Sequence, residues 1–399
     1  MTTERLFDIE ETDVAATLLA LIAASSVSPS AEPAARLLTE LLTKSGFEVT
    51  VDDWGNVTGR IDFGPGPVLL YDAHLDTVEI GDHARWRHDP AGERVGDRIV
   101  GRGAVDTKGP LAAALHAAQR LVADPDGLAG SLVISGSVDE ELAEGPALAQ
   151  ILDRVTPDVV VIGEPSDNRL AVGQRGRAEI VVEVTGTSSH TAYPDAGVSA
   201  VEVMAEAIVA LRELTFRADP HLGAGQLTLT SVRSSPYPSQ STVPSGCVAV
   251  FDRRTVVGEQ DVEVLDDVRR MVEPIAAAAG ASVQVRLARA EWRTWRGVEV
   301  DVPVFAAAWF QDPGAWPVDA IRDQLRRAGV DRPTRTWQFC TNGSESAGRR
   351  GLPTVGFGPG QPDRAHTTDE SIELAELRSG VDGYEAIFRG VLGGGGRSR

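Results

Sequence analysis

Cysteine is almost missing from this chain of 399 residues: only Cys247 and Cys340 occur, far apart and in no Cys-x-x-Cys spacing. That excludes a thiolate zinc site, a dithiol redox motif and a disulfide-stapled scaffold, and it favours a reduced, cytosolic setting in which at most one bridge could form. Basic residues are also in deficit, 38 Lys and Arg against 58 Asp and Glu, for a net charge of −20. A chain so acidic lacks the basic face that nonspecific binding to nucleic acid or to anionic membrane requires. Long apolar runs are missing too. The stretch 14–24 falls short of the ~20 residues that span a bilayer, and the acids Glu4, Asp8, Glu10, Glu11 and Asp13 before it reverse the basic start of a signal peptide. It reads as a helix. Finally, no Gly-x-Ser-x-Gly occurs, and neither cysteine has a histidine beside it, which weighs against a serine or thiol nucleophile.

What is present is an ordinary globular composition, 42% hydrophobic and 24% charged. The length predicts about two domains. The apolar run 68–71 delivers His74 and Asp76 at the end of a strand, and a second run, 132–138, delivers Glu140 and Glu141. A third, 159–162, delivers Glu164. Asp106 sits in the glycine-rich turn Gly101-Arg-Gly-Ala-Val-Asp-Thr-Lys-Gly109 before a helical run at 108–122, and His366 lies in Arg364-Ala-His-Thr-Thr-Asp-Glu370. Singly, each is what a solvated loop also contains. Together they are imidazoles and carboxylates released from strand ends, a donor set that suits zinc or a similar divalent ion. Asp76, two residues past His74, is placed to accept the other ring N–H and fix the tautomer. Paired carboxylates alone would also serve a glycosidase, but that reading leaves both histidines idle.

The order and context of these motifs resemble the dinuclear-zinc family of acetylornithine deacetylase, succinyl-diaminopimelate desuccinylase, aminoacylases and glutamate carboxypeptidases, over nearly the whole chain. The resemblance implies that His74 and Glu164 hold one zinc, Glu141 and His366 the other, and that Asp106 bridges them. Asp76 then supports His74, and Glu140 is the general base. It further implies two divalent ions, zinc first with cobalt or manganese as alternatives, and hydrolysis of an amide C–N bond in an N-acyl amino acid or related small carboxylate. A carboxypeptidase or dipeptidase acting on small peptides is the alternative. A noncatalytic relative would have lost a ligand or the base, and all are kept. The residues Ala104-Val105 before Asp106 and Thr107 after it depart from the family without removing a ligand.

The remaining pattern predicts an α/β fold: a zinc-peptidase-like catalytic domain with a mostly parallel sheet, covering 1–177 and 289–399, and an inserted α+β, ferredoxin-like lid and dimerisation domain at 178–288. Helices are expected at about 33–44, 260–279 and 372–391. Strands of half-exposed alternation are expected at 179–185 and 226–232, with another near 353–357, and hinges at the crossings near 177 and 288. The glycine-rich tail from 393 is expected to be disordered. In the inserted part, Gly186-Thr-Ser-Ser-His190 resembles the loop that brings an oxyanion-stabilising histidine to the partner subunit's site in a homodimer. Arg254, in Asp252-Arg-Arg-Thr255, matches an arginine that grips a substrate carboxylate, with Ser241 where related chains often have asparagine. Trp337-Gln-Phe-Cys-Thr-Asn-Gly-Ser344 resembles a poorly characterised hydrolase branch, with Thr341, Asn342 and Ser344 as candidate substrate contacts. Trp292, Trp295, Trp309 and Trp316 are dense for a chain with 5% aromatics. Packing where the chain passes between domains is preferred for them over a substrate pocket.

Overall fold

A computed structural model describes residues 13–393; the acidic start and the tail from 394 lie outside them. The chain forms two compact units, one comprising the described residues up to Gln174, Glu291–Val300 and those from Phe310 on, the other Arg175–Ala290 and Asp301–Trp309. The stretch Asp301–Trp309, expected with the catalytic part, groups with the second unit because Phe305 and Ala306 pair with Ala178 and Arg177. Among the described residues no helix is long and apolar enough to cross a membrane.

The first unit is built on a mixed sheet. Val68–His74 lies between Ser131–Ser137 and Val159–Ile162, parallel to both, and Thr354–Gly356 runs parallel to Val159–Ile162 on its far side. These central strands are buried nearly end to end, so they read as unbroken apolar runs. The margins turn antiparallel, with Val57–Asp62 against Ser131–Ser137 and Ala171–Gln174 against Thr354–Gly356. Helices Val14–Ala23, Glu32–Lys44, Lys108–Ala123 and Leu374–Leu392 bury Leu18, Leu38, Leu115 and Tyr384 in the same core. The closing helix begins at Leu374, since Ser371–Glu373 pairs as a strand with Arg98–Val100. The helix Val318–Arg327 had no counterpart in the expectations above.

The second unit runs strand Gly176–Thr185, helix Ala200–Leu211, strands Gln226–Ser235 and Gly246–Thr255, helix Asp261–Ala278, strand Ser282–Leu287. All pairings are antiparallel, in the spatial order second, third, first, fourth. This is the βαββαβ arrangement of a ferredoxin-like fold. Both helices pack on one face, where Ile180, Val182 and Val184 meet Val203, Met204, Val264 and Val268.

Candidate metal centre

Because three neighbouring strands run parallel, their carboxyl ends open at one edge, where open α/β sheets gather ligands. His74 is the last residue of its strand. Its Nδ1 lies 2.9 Å from the backbone carbonyl of Asp76. A carbonyl only accepts, so Nδ1 carries a proton and Nε2 is turned the other way, toward the carboxylates. Burial opposes a charge on the ring, but the hydrogen bond to Asp106 and the nearby carboxylates prevail and hold its pKa well above the ordinary histidine value. That Nε2 is 2.8 Å from Asp106 Oδ1 and 3.6 Å from Glu164 Oε1. The second oxygen of Asp106 is 3.1 Å from His366 Nε2, which is also 3.1 Å from Glu141 Oε1. Asp106 therefore lies between the two imidazoles, one oxygen toward each. The peptide bond after it is cis.

The surroundings hold these groups by buried hydrogen bonds. Thr107 Oγ1 donates to the His74 carbonyl at 2.8 Å. The carboxylate of Glu370, with no exposure, accepts the amides of Val105 and Asp106 at 2.8 and 3.1 Å and pairs with Arg102 at 2.7 Å, tying the His366 loop to the Asp106 loop. Asp76 differs from expectation. It supports His74 through its backbone oxygen, and its carboxylate, 3.7 Å from the ring, instead accepts the amides of Glu140 and Glu141 at 3.1 Å each and the Ser28 hydroxyl at 2.5 Å.

Four carboxylates and two imidazoles thus share a largely buried space, and the charges are not balanced. Burial drives the Glu140 and Glu164 carboxyls well above their usual range and raises Glu141 as well; nearby carboxylates add to it. For Asp106 burial pushes the same way, but hydrogen bonds from His366 and His74 prevail and hold it well below the ordinary carboxylate range. Its contact with Asp106, then that with Glu141, pushes His366 up to about 10. Such a cluster calls for more positive charge, and its oxygen and imidazole donors suit divalent cations. Two overlapping groups, His74 with Glu140 and Glu164, and His74 with Asp106 and Glu141, each place ligand atoms within 4.8 Å of one another. The cluster supports a dinuclear divalent-metal site.

The other expected residues fall elsewhere. Asn342 is 2% exposed; its carboxamide accepts from Gly145 N and donates to Asp72 and Ser137, so both of its N–H donors are engaged within the fold. Thr341 and Ser344 are buried with it. In the second unit His190 is exposed, its Nδ1 accepting from Ala192 N at 3.0 Å. Arg254 is held by Asp252 at 2.8 Å and keeps part of its surface open. Its neighbour Arg253 is buried against Glu259 and Phe216. Trp316 is 45% exposed, whereas Trp309 is buried. Sequence reasoning missed Glu370, whose one signal is a carboxylate four residues past His366, and Asp72, which one apolar run conceals.

Among curated proteins the chain is similar to the uncharacterised protein YgeY of Escherichia coli, 32% identical over 94% of either chain. It is also similar to a succinyl-diaminopimelate desuccinylase of Dinoroseobacter shibae, 28% identical over 96% of this chain and 98% of that one. Among solved structures it resembles aminopeptidase PepT from Bacillus cereus with a TM-score of 0.74 at 20% identity, covering 95% and 98% of the two chains. With residues 70–390 matching the family description as well, the chain is a metal-dependent hydrolase that belongs to peptidase family M20/M25/M40.

Proposed function

We propose that this protein hydrolyses the amide C–N bond of an N-acyl amino acid or a related small carboxylate. The observation that carries the reading is Asp106, one oxygen toward His74 and the other toward His366, with the carboxylates of Glu164 and Glu141 beside them. In this reading His74 and Glu164 hold one ion, Glu141 and His366 the other, and Asp106 both; zinc is the expected metal. When bound, such a pair supplies Lewis acidity and lowers the pKa of water.

The chain's own residues do the rest. Glu140 carries the buried carboxyl beside the ligands that is free of that duty, and it takes the proton of the attacking water and returns it to the leaving nitrogen. Because Nδ1 of His190 accepts a hydrogen bond, its neutral ring carries a proton on Nε2, the donor a developing oxyanion requires. We place that histidine in the site of a second copy, in a homodimer formed through the second unit. Arg254 offers a planar fork to the substrate carboxylate. Two free, buried cysteines accord with a cytosolic protein.

Similarity to a desuccinylase along the whole chain favours the deacylase reading. Peptidase activity on dipeptides is the second reading, suggested by the peptidases among its structural neighbours. The deciding experiment is a screen of N-acyl amino acids and dipeptides with metal-reconstituted protein, followed by release of free amine. Turnover that is lost to a chelator, restored by zinc and largest on an N-acyl amino acid is expected; turnover insensitive to chelation would refute the mechanism.

A further inference from the structure

None of the four dense tryptophans has yet been given a role in the reaction, and two of them lie in Glu291–Val300, a stretch of the first unit bracketed in sequence by stretches of the second. Trp292 donates its indole N–H to Asp139 Oδ2 at 2.9 Å. Asp139 immediately precedes Glu140, is wholly buried, has its other oxygen unpartnered and takes a φ of 59°, which a residue with a side chain seldom adopts. Trp292 is itself held: Trp54 meets it edge to face at 6.3 Å, and the Trp295 indole lies against Gly55, where a Cβ would fall 2.0 Å from Nε1. Four residues on from Asp52, whose carboxylate accepts the amides of Trp54, Gly55 and Asn56, the chain reaches the turn again, because the Asn56 carboxamide accepts from Val138 N at 3.0 Å.

The turn at 138–141 is therefore gripped from three sides. Asn56 holds the amide of Val138, Asp76 holds those of Glu140 and Glu141, and Trp292 holds the side chain of Asp139. Two of these grips act on the backbone. The third is the only one of them supplied from outside the first half of the chain, and it bears on the residue of positive φ whose peptide leads into Glu140. We infer that Trp292 is a positioning residue: through the Asp139 carboxylate it sets the direction of the Glu140 side chain relative to the metal ligands. The inference rests on Glu140 as the general base. It gives the 291–300 segment a part in the reaction that the tryptophans' composition alone did not suggest.

The test compares the metal-loaded protein with Trp292→Phe, which keeps a ring against Trp54 and removes only the donor. Hydrogen exchange of the peptide covering 138–145 is expected to accelerate about tenfold, in line with loss of one buried hydrogen bond, while exchange elsewhere and the metal content stay as in the parent. On whichever N-acyl amino acid or dipeptide the protein turns over, kcat should fall by a similar factor with KM within about twofold, the split expected when only the transition state is affected. Asp139→Leu should match Trp292→Phe, the double variant should be no worse, and Asp139→Asn, whose carbonyl still accepts the indole N–H, should recover most of the rate. Unchanged exchange at 138–145, acceleration spread over the whole chain, loss of metal, or a local acceleration with wild-type kcat would each overturn the inference. Should no substrate be turned over, the Proposed function fails, and the exchange measurement still decides whether Trp292 restrains the turn.

Discussion

In the first unit the polar residues of interest are hidden and fastened: His74, Asp76, Glu140, Glu164 and Glu370 are all under one-tenth exposed, and the ligand-bearing loops are tied by amide-to-carboxylate bonds. In the second unit His190 stands exposed on a loop and Arg254 is only partly covered. The contrast separates two ways of placing a reactive group. A buried cluster is arranged by its own fold, at the cost of crowding like charges that then require cations. An exposed histidine costs nothing to place and does nothing until something is brought to it, which fits a group offered to another copy's site. If that division is right, variants in the first unit should act on metal, stability and chemistry within one chain, and variants in the second should be repairable by a partner.

The largest effect is expected from Glu140→Gln. Removing the proton acceptor while keeping the shape should lower kcat by about 10³-fold, with two metals per chain still present by elemental analysis. Metal loss would make Glu140 a ligand instead, as its grouping with His74 and Glu164 in one ligand-sized cluster allows.

Next comes the tie beneath the ligands. Glu370→Ala leaves Arg102 buried and unpaired and frees the amides of Val105 and Asp106, so unfolding in urea should show a loss of about 3–5 kcal/mol, with reduced metal content. Replacing both Arg102 and Glu370 by methionine should recover part of the stability, because no uncompensated charge is then buried, yet not the metal content. Stability and metal content returning together would show that Glu370 acts only through packing.

The legibility of the chain follows the same division. Val68–His74, Ser131–Ser137 and Val159–Ile162 announce themselves because strands buried on both faces must be apolar throughout, and the polar residue that ends each is conspicuous against them. The alternation expected at 179–185, which lies within Gly176–Thr185, likewise marks a strand with one better covered face. Which atom does the work is not written in spacing: Asp76 sits where its side chain could reach His74, and its backbone does so instead. Glu370 and Asn342 look like loop residues because their partners lie some 200 to 270 positions away, and only the folded chain reveals that both N–H donors of Asn342 are used internally. Val318, Ile321 and Leu325 do carry helical spacing, whereas nothing in 344–349 distinguishes its wide helical turn from a loop.

His190→Ala tests the other half of the comparison. Loss of an oxyanion donor should lower kcat about 10²-fold, with metal content unchanged. Mixing this variant with Glu140→Gln under conditions that exchange subunits is sharper. A hybrid dimer would hold one site with both an intact Glu140 and an intact His190, so about a quarter of the parent activity should return if subunits pair at random in a two-fold dimer. No recovery would place the histidine in its own chain's site or outside any site.

The smallest effect concerns an imidazole that is half-buried in the first unit, where burial outweighs the pull of the nearby Asp13 carboxylate. His116 Nε2 meets the Thr17 hydroxyl at 2.9 Å, and burial lowers its pKa to about 4. An unfolded histidine takes up a proton near pH 6.5, so below that value the unfolded state binds more protons than the folded one and stability falls as pH falls. Between about pH 7 and about pH 5 the loss should be roughly 1.5–2 kcal/mol, allowing for the ring's partial exposure. Urea unfolding of the metal-loaded protein and of His116→Gln at each pH isolates this share, because the other titrating groups are common to both. The stability difference between the two should narrow by that amount as the pH is lowered; a constant difference would mean that His116 is already free to take a proton in the folded protein, and that burial in this unit is less complete around the helix Lys108–Ala123 than around the ligands at the strand ends.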